Sequence, residues 1–192
     1  MYSTNHQFVK GIYTMKLLAF AASSSSKSIN KQLAAYAASQ VKHKEDVEVE
    51  ILDINDYEMP LFSEDKEVLL GQPQQAKDFY GKLGQADAII ISFAEHNGSY
   101  TAAYKNLFDW TSRIDQKLFQ NKPMILLATS PGPSGGATVL NAATGSAPYF
   151  AGEVKASLSI PSFYDNFDVE KQQLSNVELR DKLQSALSQL NS

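Results

Sequence analysis

The sequence predicts an α/β fold: a doubly wound, five-stranded parallel sheet with helices on both faces. Three observations predict it. Strand-like and helix-like patterns alternate from Lys16 to Leu190. The runs Leu17-Leu18-Ala19-Phe20-Ala21, Ala88-Ile89-Ile90-Ile91 and Met124-Ile125-Leu126-Leu127 are continuously apolar, as strands covered on both faces are. Strands that alternate with helices are joined by crossovers, which makes the sheet parallel. No repeat or linker divides the 192 residues. One domain is expected over 15–192, preceded by a peripheral extension over 1–14.

Lys16 to Ala22 reads as the first, buried strand. Ile29 to Val41 follows as a helix, with Ile29, Leu33, Tyr36 and Ala37 at helical spacing. Val47-Glu48-Val49-Glu50-Ile51-Leu52 alternates apolar and polar, so it is a strand nearer an edge. Asp53 to Pro73 reads as irregular. Gln74 to Leu83 is a helix and Ala86 to Phe93 the third strand. Ala102 to Ile114 is a helix, Met124 to Thr129 the fourth strand, and Gly136 to Phe150 a helix of small residues. Glu153 to Ile160 is the fifth strand, with Val154, Ala156, Leu158 and Ile160 in alternation. An amphipathic helix from Leu174 to Leu190 closes the chain.

Composition removes several function classes. Lys and Arg number 17 against 21 Asp and Glu, a net charge of −4 without a basic block, so nucleic acid is not an expected partner. There is no cysteine, which excludes disulfides, thiolate catalysis and Cys-ligated metals and agrees with a cytoplasmic location. No apolar run approaches the roughly 20 residues that span a bilayer. Met1 to Thr14 lacks the apolar core of a secretory signal, and Met15 is an alternative start.

In doubly wound sheets ligands bind outside the carboxyl ends of the strands, where strand order reverses. The loops after strands one, three and four are the unusual ones. The first, Ser23-Ser24-Ser25-Ser26-Lys27-Ser28-Ile29-Asn30, joins a buried strand to a helix N-terminus. Unpaired helix N–H groups, serine hydroxyls and a single lysine suit a ligand with one phosphate. The second is Ala94-Glu95-His96-Asn97-Gly98-Ser99-Tyr100, and the third Ser130-Pro131-Gly132-Pro133-Ser134-Gly135-Gly136. Proline and small residues in the third let backbone amides approach a flat ligand.

These loops resemble those of the NAD(P)H-dependent FMN reductases, flavodoxin-like enzymes that include quinone, azo and chromate reductases. That family's first loop reads Gly-Ser-x-Arg-x-x-Ser-x-Asn. Ser23, Ser28 and Asn30 match it, while Ala22 stands for the glycine and Ser25 for the arginine. The family's Pro-Glu-Tyr-Asn corresponds to Ala94-Glu95-His96-Asn97, and its Lys-Asn-Ala-Ile-Asp-Trp to Lys105-Asn106-Leu107-Phe108-Asp109-Trp110. Its Ser-Pro-Gly with a later Gly-Gly corresponds to Ser130-Pro131-Gly132 and Gly135-Gly136. The resemblance spans Met15 to Leu190. It implies a flavodoxin-like fold, FMN and NAD(P)H as cofactors, a small-molecule electron acceptor such as a quinone, and a homodimer or homotetramer. It further implies that Ser23, Ser25, Ser28 and Asn30, with Ile29 beside them, hold the FMN phosphate, Lys27 standing in as a point charge for the arginine. Ala94, Glu95 to Gly98, Ser130 to Gly132, Gly135 and Gly136 would border the flavin ring.

No catalytic side chain is assigned and no metal ligand. His96 offers an imidazole that could act as acid or base, but hydride transfer through a flavin needs no obligatory side-chain proton relay. Glu95 either hydrogen-bonds the ring or pairs across a subunit interface, and a capping or solvated role stands equally beside these. Trp110, Phe108 and Leu107 read as core or subunit surface, Asp109 and Arg113 as an i,i+4 ion pair, and Asp53, Asp56, Glu58, Glu64 and Asp65 as solvated. Phe163-Tyr164-Asp165-Asn166-Phe167 either covers the site or packs an edge. The alternatives are an electron carrier of flavodoxin type, usually far more acidic than −4, and a cofactor-free sensor or scaffold. A serine hydrolase is set aside, since His6, His43 and His96 have no evident triad partner.

Overall fold

The computed structural model describes residues 14–42 and 46–191. The extension expected over 1–14, Thr14 apart, lies outside the described residues, as do His6 and His43. The strands are β1 (Met15–Ala22), β2 (Val47–Leu52), β3 (Ala88–Phe93), β4 (Glu95–His96), β5 (Ser99–Tyr100), β6 (Lys122–Thr129), β7 (Gly152–Ile160), β8 (Phe167–Asp168) and β9 (Gln173–Leu174). The helices are α1 (Ile29–Lys42), α2 (Glu64–Leu70), α3 (Gln74–Gln85), α4 (Ala102–Ser112), α5 (Ala137–Ser146), α6 (Phe163–Asn166) and α7 (Val177–Ser188). Five strands form one parallel sheet in the order β2-β1-β3-β6-β7, while β4–β5 and β8–β9 are small antiparallel pairs. The order turns back between β1 and β3, as in the flavodoxin-like sheet, and so opens a crevice at their carboxyl ends.

The period of two sorts the side chains of the central strands. Leu18, Phe20, Ile89, Ile91, Phe93, Met124 and Leu126 pack with α3, α4 and α5 residues such as Phe79, Leu107 and Val139. Leu17, Ala19, Ile90, Ile125 and Leu127 pack on the other face with Leu33 and Tyr36 of α1 and Leu183 and Leu187 of α7. Each fully buried Leu, Ile or Phe contributes about 1.5–3 kcal/mol. That fixes the register, since a one-residue slip would exchange the two faces.

The fifth strand departs from its predicted alternation. Met124 pairs with Val154 and Ile125 with Ala156, so Lys155 is an extra residue on β7. Val154 therefore packs on the α3–α5 side, whereas Ala156 and Leu158 pack on the α1 side.

The stretch 53–73 is not irregular. It holds a 3₁₀ helix (Ile54–Tyr57) and α2, neither visible as apolar periodicity because α2 buries no residue. Caps hold α2 instead. The Ser63 hydroxyl accepts from the Lys66 N–H, and Gly71, at φ +67°, donates its N–H to the Glu67 carbonyl. The helix expected over 136–150 stops at Ser146 and continues as a 3₁₀ turn. The last helix begins at Val177, after β9.

Asp109 and Arg113 do not pair with each other. Asp109 takes Lys105 one turn earlier, at 2.6 Å, and Arg113 takes Glu67 of α2, at 3.0 Å. Asp53 is bound rather than merely solvated, by Lys31 and by the Asn55 N–H. The Lys31 ammonium is the main cause holding the Asp53 carboxyl below the usual carboxylate range. Trp110 is core: it is fully buried, meets Phe62 edge-on at 5.0 Å, and donates its indole N–H to the Pro60 carbonyl at 2.7 Å. Asn106 accepts from the Phe62 N–H at 2.8 Å and donates to the Met59 carbonyl at 3.1 Å, so α4 pins the segment after β2.

Candidate functional site

At the carboxyl end of the sheet a cleft of about 250 Å³ opens between the loops after β1, β3 and β6. Its lining includes Ser23, Ser25, Lys27, Ser28, Ile29, Asn30, Ala94, Glu95, His96, Ser130 and Pro131 of the residues expected from sequence, with Thr129 and Tyr164 in addition. Asn97, Gly98, Gly132, Gly135 and Gly136 do not line it.

The serine loop is built from its own hydroxyls. The Ser25 N–H donates to Ser23 Oγ at 3.3 Å, the Lys27 N–H to Ser25 Oγ at 3.2 Å, and the Lys31 N–H to Ser28 Oγ at 3.2 Å. Ser28 thereby caps α1. Each hydroxyl acts here as an acceptor and retains its single O–H donor. The first-turn N–H groups of Ile29 and Asn30 are among those a helix leaves without an internal partner. Lys27 is exposed and forms no ion pair among the described residues, whereas Lys31 is taken by Asp53. Spare donors, a helix N-terminus and one unpaired cation describe an anion site of low charge.

Asn30 does something else with its side chain. It is 2% exposed, and its carbonyl oxygen accepts from Ser92 Oγ at 2.8 Å and from the Thr129 N–H at 3.0 Å. Its NH₂ donates to the Thr129 carbonyl at 3.0 Å. This amide ties the start of α1 to β3 and β6, so it sets where the serine loop sits. Thr101 adds a second tie, donating to the Ala22 carbonyl at 3.0 Å while it caps α4. Asn55 adds a third, donating to the Ser24 carbonyl at 3.2 Å.

Glu95 is a helix cap: its Oε2 accepts the Val139 N–H of α5 at 2.9 Å. Asn97 and Gly98 have φ of +53° and +74°, the positive pair that a tight hairpin turn between β4 and β5 requires. Gly135 and Gly136 are buried against the sheet. A Cβ on Gly135 would lie 2.2 Å from Ser159 Oγ, and one on Gly136 3.1 Å from the Ala128 Cβ. Their lack of a side chain serves helix–sheet packing. The same turn spells Gly132-x-Ser134-x-Gly136, the spacing of a hydrolase nucleophile turn, but Ser134 lies outside the cleft that His96 lines. No group of three or more His, Cys, Asp or Glu among the described residues could hold a metal, and no helix there could cross a membrane.

The cleft's two additional residues carried weak signals. Thr129 closes an apolar run and is 1% exposed. Tyr164 follows the fifth strand, whose carboxyl end the strand-end rule also covers.

Known proteins share this sequence pattern and this fold. A family model described as NADPH-dependent FMN reductase matches residues 15–163. An NAD(P)H-dependent FMN reductase of Pseudomonas aeruginosa is 34% identical over 87 residues, 45% of each chain. A 2-hydroxy-1,4-benzoquinone reductase of a Burkholderia species is 34% identical over 109 residues, 56% of each chain. The chain thus matches only about half the length of these curated relatives. Among solved structures, the flavoenzyme NAD(P)H:(acceptor) oxidoreductase FerB from Paracoccus denitrificans superimposes with a TM-score of 0.70 at 18% identity, covering 93% of this chain and 98% of its own. A Pseudomonas aeruginosa flavodoxin shares the fold at 13% identity and a TM-score of 0.56, over 93% of this chain and 100% of its own. With most of its length matched, motif-bearing loops included, the chain belongs to the NADPH-dependent FMN reductase family.

Proposed function

We propose that this chain is an FMN-dependent NAD(P)H oxidoreductase that passes reducing equivalents from a nicotinamide to a quinone or similar small acceptor by a ping-pong route. The observation that carries it is the convergence of the loops after β1, β3 and β6 on one cleft whose hydroxyls keep spare donors. The residues present fit FMN. Ser23, Ser25 and Ser28 offer O–H donors, α1 its N-terminus and Lys27 a point charge to the phosphate. Ala94, Ser130 and Pro131 offer low walls to a flat ring. FMN, when bound, supplies hydride acceptance and donation. The chain's share is to bind and orient that ring and to leave one side open to two flat ligands in turn.

The names of the relatives, FMN reductase and quinone reductase among them, support the acceptor class. The absence of cysteine supports a cytoplasmic location. Subunit association is part of the proposal. Leu61, Val68, Leu69 and Leu70 are 71, 88, 79 and 53% exposed, an apolar strip that a second copy of this chain would cover. Light scattering should report a dimer or larger, and L69E should lower the mass.

The decisive experiment reconstitutes the protein with FMN and follows flavin absorbance on adding NADPH and then a quinone. Bleaching followed by recovery is expected, with parallel steady-state lines. A flavin that NADPH leaves oxidised would favour an electron carrier, and a protein that never takes up FMN would favour a scaffold.

A further inference from the structure

We infer that Tyr164 is the aromatic wall of the cleft and stacks on the tricyclic ring of the FMN held there; the inference rests on the flavin-binding function proposed above. Tyr164 lines the cleft yet is 65% exposed, between a Phe163 that is fully buried and a Phe167 that is nearly so. Its hydroxyl has no hydrogen-bond partner among the described residues. A ring so exposed would ordinarily be mobile surface, but this backbone is fixed to the cleft itself. The Ser162 N–H donates to the Gly132 carbonyl at 2.9 Å and the Phe163 N–H to the Ser130 carbonyl at 3.0 Å. Asn166 donates to the Pro161 carbonyl at 2.8 Å, and Phe163 stacks on Phe167 at 4.6 Å.

Ser162 makes the turn that presents the ring. It sits at φ +44° and ψ +62°, left-handed backbone that a serine rarely adopts, and such strain concentrates at ligand sites. The sheet order sets the spacing. Tyr164 follows β7 and His96 follows β3, with β6 and its Thr129–Pro131 loop between them. Two strand spacings, roughly 10 Å, separate the ends of β7 and β3, so a ring stacked on Tyr164 keeps its far face open to a second flat ligand. Because the serine loop and Tyr164 share one cleft, the ring beside Tyr164 belongs to the molecule whose phosphate the serines take.

The test titrates the full chain with FMN, reading flavin fluorescence, for wild type, Y164F and Y164A. Y164F should match wild type in Kd and in the quenching of bound FMN. Y164A should bind about five- to tenfold more weakly, with brighter bound flavin, and its thermal melting without FMN should fall only slightly, through the lost edge-on contact with Phe163. Wild-type Kd and quenching in Y164A would overturn the inference while leaving flavin binding intact. So would a Y164F loss equal to that of Y164A, which would assign a hydroxyl contact. Failure of wild type to bind FMN would instead overturn the proposed function, and the inference with it.

Discussion

Two of the molecule's hollows invite comparison, and volume does not tell which of them suits a ligand: a third, near Ser24, Tyr57 and Asn106, exceeds both at about 470 Å³. The larger of the two, about 310 Å³, lies by the start of β1 and is lined by Lys16, Glu48, Glu50, Lys82 and the end of α3 at Gln85 and Ala86. Lys82 is already paired with Glu50 there. The nearby helix end is a C-terminus, whose partial negative charge repels an anion. The smaller, about 250 Å³, has a helix N-terminus and, among the described residues, a lysine without an ion pair and hydroxyls with donors to spare. Parallel βα units put every helix N-terminus at the carboxyl end of the sheet, so the two ends of one fold are chemically opposite. A ligand site is marked less by empty space than by polar groups whose partners within the chain are incomplete.

The strongest challenge to this contrast is N30A. The substitution leaves Ser92 Oγ and the Thr129 backbone without their buried partner, and should cost about 2–4 kcal/mol in denaturant unfolding. If stability is unchanged and only FMN affinity falls, Asn30 is a ligand contact rather than an anchor. S25R sharpens the comparison by restoring the family's arginine: FMN binding should tighten about tenfold through a bidentate phosphate contact. In calorimetric titrations K27A should weaken binding about three- to fivefold, with a smaller salt dependence.

D53N probes the support behind the loop. The folded Asp53 carboxyl titrates below its ordinary value of 3.8, so its pair with Lys31 stabilises the protein above that pH. D53N should therefore lose about 1 kcal/mol at neutral pH. That difference should vanish as pH falls through the folded-state value, since protonation then removes the charge in wild type too. A difference that grows in acid would mean the pair opposes folding. The smallest effect belongs to the larger hollow: K82A should leave FMN affinity unchanged within about twofold, and a large loss would move the site.

What the sequence disclosed follows from where its signals lie. Continuous apolar runs and their periods locate the five main strands and the larger helices, because burial itself writes that pattern. α2 escapes because its stability comes from Ser63 and Gly71 at its ends rather than from an apolar face. The bulge at Lys155 escapes because pairing register is a property of two strands, and β7 alone carries no mark of it. Within the cleft, Ser23, Ser25, Lys27, Ser28 and His96 were legible from loop position. Asn97 and Gly98 were legible as a turn signal but stood in a motif that implied ring contact. Tyr164 and Thr129 require knowing which strand ends are neighbours, and that depends on sheet order.

The Asn30 amide has a consequence for how this loop tolerates change. Its grip on Ser92 and Thr129 comes from a position just beyond the serines, in the first turn of α1. The shape of the segment is thus decoupled from most of its letters. An arginine can give way to Ser25, altering how tightly a phosphate is held, without the cradle itself drifting.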